Sequence, residues 1–68
     1  MQTKDYAIIS RHGLGHLVVQ VFWKREAPPT EDEMPNHLKT FKPEDQLDTA
    51  IEWIRHWYMH AAVIETVS

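Results

Sequence analysis

A chain of 68 residues holds one small domain, residues 1 to 68, and leaves no room for a second. Its composition, 43% hydrophobic and 25% charged at a net charge of -3, excludes a disordered chain, and its acidic balance argues against a general nucleic-acid binder. The absence of cysteine excludes disulfides and thiolate metal sites, so self-association, a partner or histidine ligation are the remaining supports for so small a core.

Residues 5 to 25 read as a β-hairpin. YAIIS and HLVVQVFWKR are rich in β-branched and aromatic residues, and Gly13 and Gly15 supply the turn between them. Period-two alternation puts Leu17, Val19, Val21 and Trp23 on the core face of the second strand, with His16, Val18, Gln20, Phe22 and Lys24 opposite. Val18 and Phe22 make that opposite face greasier than a fully solvated sheet surface, as though part of it were covered. Residues 26 to 36, with three prolines and four acids, are expected as an exposed loop. His37 to Phe41 is β-compatible and adds a third antiparallel strand.

A helix is expected from Pro43 to about Ala62, because proline suits a first turn and Glu44 and Asp45 complement the helix dipole. At 100° per residue, Leu47, Ile51, Ile54, Tyr58, Ala61 and Ala62 form the stripe that packs on the sheet. Asp48, Glu52, His56, Met59 and Val63 face away, and Ala50, Trp53, Trp57 and Ile64 widen the apolar arc on one flank. The tail AAVIETVS admits either more helix or a short edge strand, being rich in β-branched residues. The expected fold is therefore α+β, a three-stranded antiparallel sheet in β-β-β-α order with one C-terminal helix on one face, a two-layer sandwich.

Few residues are placed for catalysis. His56 and His60 stand four apart, a metal-binding spacing that Glu52 would complete on the same helix face, but Trp57 occupies the place where a zinc-protease pattern needs its glutamate. The plainer reading of these three is a solvated helix face with histidine near a helix C-terminus. The G-x-G in the hairpin lies between two strands, which is turn chemistry and not a phosphate cradle. With no cysteine and only Ser10 and Ser68 as serines, no nucleophile with an oriented base is apparent, and the expectation is a protein that is not an enzyme and carries no cofactor.

The aromatic flank is more informative. Trp53, Trp57 and Ile64 offer more apolar surface than one small sheet is expected to cover, and Arg55 lies close by, an interface-like composition. The competing reading makes both tryptophans ordinary core. The loop acids Glu31, Asp32 and Glu33, with Glu26, form either a solvated linker or an anionic contact for a protein partner, such as one in a nucleic-acid-handling complex.

The strand-strand-strand-helix order is similar to the latter part of double-stranded RNA-binding domains, but their basic helix start is here Pro43-Glu44-Asp45, so RNA binding is not implied. In size, acidity and lack of cysteine the chain is similar to phage-encoded inhibitors of bacterial defence, anti-CRISPR proteins among them; that likeness implies an inhibitor and identifies no residue. The leading expectation is a non-catalytic protein-binding module acting by surface occupation, as a small inhibitor or adaptor from a mobile element, with a homodimer as one form of the contact. The alternatives are a histidine-dependent metal-binding protein and a weak nucleic-acid binder through Arg11, Lys24 and Arg25. No apolar run approaches the roughly 18 residues of a membrane span and no signal peptide is evident at the start, so the expected location is cytoplasmic.

Overall fold

The computed structural model describes residues 2–13, 15–30 and 32–66. Along the chain run β1 (Lys4–His12), β2 (His16–Arg25), β3 (His37–Phe41), α1 (Leu47–Trp57) and β4 (Ala62–Glu65). The result is a small α+β domain, one helix on a four-stranded sheet of order β3-β2-β1-β4. The sheet is mixed and not purely antiparallel: β1 pairs antiparallel with β2, β2 with β3, and β4 joins the other side of β1 in parallel. Of the two states open to the tail, the edge strand is the one adopted. A parallel neighbour needs a crossover connection, and α1 is that crossover.

The helix is shorter than the expected 43 to 62 at both ends. Pro43 to Asp45 form a turn instead of a first helical turn, with the Asp45 amide donating to the Lys42 carbonyl at 3.0 Å and the Lys42 amide donating to the Asp45 carboxylate at 3.1 Å. At the other end Tyr58 takes φ -137° and ψ 63°, outside the helical region, and its amide still donates to the Ile54 carbonyl. The hairpin turn uses its glycines as expected. Gly13 and Gly15 have φ of 55° and 105°, a region open to glycine at little steric cost.

The core lies between α1 and one face of the sheet. Ala7, Ile9, Leu17, Val19 and Val21 are fully buried there, with Phe41 from β3 and Ala50 and Ile54 from the helix. The registers Ala7↔Val21 and Ile9↔Val19 explain this, since residues paired across strands project to the same face. On the helix the buried centre is Ala50 and Ile54, with Leu47 and Ile51 partly buried, which turns the packed stripe by roughly 40° toward the Trp53 flank.

Two positions of β2 depart from simple alternation of inside and outside. Phe22, expected on an outer face, is 1% exposed, whereas Trp23, expected in the core, is 46% exposed. Phe22 pairs with Tyr6, itself buried, on the sheet face away from the helix, and the Arg25 guanidinium lies 6.0 Å from the Phe22 ring centre. Trp23 stands where the strand loses regularity. Lys24 has φ of 52°, β1 is irregular between Lys4 and Tyr6, and the Trp23 amide donates to the Asn36 side chain at 2.9 Å rather than into a ladder.

Candidate interaction surface

The aromatic flank divides at the helix end. Trp53 is partly buried and belongs to the core, resting against rings from β3: its centroid is 5.4 Å from His37 and 6.2 Å from Phe41, both edge-on, and 5.9 Å from Tyr58. His37 Nδ1 and the Tyr58 hydroxyl are 2.7 Å apart, a hydrogen bond that ties the start of β3 to the residue following the helix. These four rings staple α1 to the sheet edge. Edge-to-face pairs of this kind contribute about 0.5–1.5 kcal/mol each beyond area burial.

Trp57 is the opposite case. One turn further along the same helix face, it is 64% exposed, with the His56 ring edge-on at 5.0 Å between centroids. Met59 is 71% exposed and Val63 39% exposed, so the segment leaving α1 and entering β4 carries three large apolar side chains in contact with water. Arg55 and His56 in the last helical turn are exposed, and Arg55 adds positive charge at the negative end of the helix dipole. Met59 and Val63 were legible as outward-facing but not as company for Trp57.

Ile64 does not join this surface. It pairs with Ile8 in the β1–β4 register and so lies on the other face of the sheet, since alternate residues of β4 point to opposite sides. The acidic loop is separate too. Glu33 accepts hydrogen bonds from the Arg25 guanidinium and, at 2.7 Å, from the Thr30 amide; the Arg25 bond first, and then that of Thr30, holds its carboxyl below the ordinary value of 4.5. Asp32 and Glu26 are exposed, and Glu31 lies outside the described residues. The loop is tied back to β2 through Arg25 rather than being an unattached acidic arm.

The histidine pair loses its geometry. α1 ends at Trp57, so His60 falls in the turn after it and no longer stands one helical turn above His56 and two above Glu52. No cluster of three potential ligands that would hold a metal occurs among the described residues. The basic residues are also dispersed. Arg11 donates to the Gly15 carbonyl at the hairpin turn, Arg25 is paired with Glu33, and the eight residue steps of β2 from Leu17, level with Arg11, to Arg25 span about 26 Å. No helix among the described residues is long and apolar enough to cross a membrane.

One polar pair was missed. Ser10 Oγ and His12 Nε2 are 2.6 Å apart, two residues apart on one face of β1. Strand alternation places them side by side, and that signal was present in the spacing S-R-H. Among the described residues no carboxylate hydrogen-bonds to His12, so the third member that orients a catalytic base is not part of this pair. The chain matches no protein-family model, no curated protein and no solved structure.

Proposed function

We infer that this protein is a non-catalytic protein-binding module that works by covering a partner's surface, with Trp57 as the anchor of the contact and a second copy of the chain as its first partner. The observation that carries this reading is the 64% exposure of Trp57 at the helix end, followed in sequence by exposed Met59 and Val63. Tryptophan and methionine are enriched at interfaces, and a central exposed aromatic rimmed by polar residues is the usual form of an anchor.

The molecule is thin, 18 Å along its shortest axis, which leaves a single helix to cover one face. Surface occupation, as by a small inhibitor or adaptor, is a mode of action that such an anchor permits without any chemistry.

The test is the concentration dependence of amide resonances. Dilution of the labelled protein should move the resonances of Trp57, Met59 and Val63 most and leave those of the β1–β2 hairpin turn in place. Shifts that do not change with concentration, or that cluster away from this segment, would overturn the self-contact.

A further inference from the structure

Beyond the buried Tyr6–Phe22 pair, the sheet face away from the helix is only partly covered. On it Ile8 and Ile64 sit side by side across β1 and β4, and Gln20 of β2 flanks Ile8 on the other side. All three are half-buried. The loop after β2 comes back over this face, so that Pro28 and Pro29 line the same space as Ile8 and Ile64. Between them is a cleft of about 550 Å³. That volume lies within the roughly 300–1,000 Å³ typical of sites for small ligands.

The lining decides the chemistry. Its apolar walls are the two isoleucines and the two prolines, and prolines bring rigid rings without amide donors. Ser10 and His12, hydrogen-bonded to each other at 2.6 Å, stand on the same β1 face toward the hairpin turn and give the cleft a polar end, while Gln20, Thr30 and Thr66 add uncharged polar groups to the rest of the lining. Among the described lining residues there is no aspartate, glutamate, lysine or arginine. The described lining therefore offers no permanently charged side chain to replace the hydration that an ion would lose, which favours a neutral ligand.

We propose that this cleft is a binding site for a neutral small molecule with a flat apolar body, held between the Ile8–Ile64 floor and the Pro28–Pro29 roof, and a hydrogen-bonding oxygen that meets the Ser10–His12 pair. The site is on the opposite sheet face from Trp57 and is independent of the protein contact proposed above.

Nile red, a neutral planar dye with one carbonyl oxygen, is the probe. Its fluorescence should rise on titration with the protein at up to about 100 μM, a modest affinity for a half-open cleft. The amides of Ile8, Ser10, Gln20 and Ile64 should shift. Gln20→Glu, nearly isosteric, puts a carboxylate in the wall and should weaken binding about tenfold with an unchanged circular dichroism spectrum. Ile64→Ala should weaken it less, and Trp57→Ala should leave it within about twofold. No fluorescence rise, equal affinity for an anionic naphthalene sulfonate dye, shifts centred on Trp57 and Met59, or Gln20→Glu binding within about twofold of the parent would each overturn the site.

Discussion

The two faces of this sheet come from the same four strands, yet one is a core and the other is a cleft. Toward the helix, Ala7, Ile9, Leu17, Val19 and Val21 are wholly excluded from water, and α1 supplies Ala50 and Ile54 to close the layer. Away from it, only Tyr6 and Phe22 are buried, while Ile8, Val18, Gln20 and Ile64 are left partly open under a proline-rich loop. A helix covers a sheet face because its apolar residues recur on one continuous stripe; an irregular loop covers only where it happens to touch. Burial is therefore concentrated on one side, and the other side is left partly open.

Substitutions that compare the two faces should show the largest contrast. Ile54→Ala empties the sealed layer and is expected to cost about 3 kcal/mol, whereas Ile64→Ala on the open face is expected to cost about 1 kcal/mol. For a chain of this length, whose total stability is of order 3–10 kcal/mol, the first change should abolish or strongly lower the cooperative melt seen by circular dichroism. Equal losses would mean that the second face is as much a core as the first.

The two helix tryptophans sharpen the comparison at a single turn's distance. Trp53→Ala removes a ring wedged against His37, Phe41 and Tyr58, and should cost about 2–3 kcal/mol in denaturant melts. Trp57→Ala removes a ring that is mostly in water, and should change stability by less than about 0.5 kcal/mol. Tyr58→Phe, which deletes the hydrogen bond to His37 while keeping the ring, should fall between them at about 1 kcal/mol.

The smallest effect concerns the loop that roofs the open face. Because the Glu33 carboxyl is held below its ordinary value of 4.5, its bond to Arg25 contributes to stability above that pH, and the contribution is lost as pH falls through the lowered value. The Thr30 amide, which donates to Glu33, should report this as a chemical-shift inflection below 4.5 that Glu33→Gln abolishes. An inflection at or above 4.5 would show that the tie is not formed in solution.

Much of the sheet was legible because its signals are local. The β-branched runs, the glycines of the turn and the alternation of Leu17, Val19 and Val21 each act within a few residues. The unusually apolar Val18 and Phe22 already pointed to cover on the second face, and Phe22 is buried there. The fourth strand was not legible, because Val63 and Ile64 suit a helix tail or a strand equally and only pairing with β1 decides. Nor was the helix end: Trp57-Tyr58-Met59-His60 contains no glycine or proline, and Tyr58 leaves the helix where its hydroxyl reaches His37, a partner 21 positions away. The same distant strand separates the two tryptophans, which sequence spacing alone placed together on one flank. Ile64 was grouped with them by a helical period that stops before reaching it.

The most direct test of the Trp57 contact is sedimentation equilibrium of the parent chain beside Trp57→Ser. The parent should follow a monomer–dimer equilibrium with a midpoint below about 100 μM, and the variant should remain monomeric with an unaltered circular dichroism spectrum. A parent that stays monomeric to about 1 mM, or a dimer that the serine leaves intact, would contradict the self-contact at Trp57.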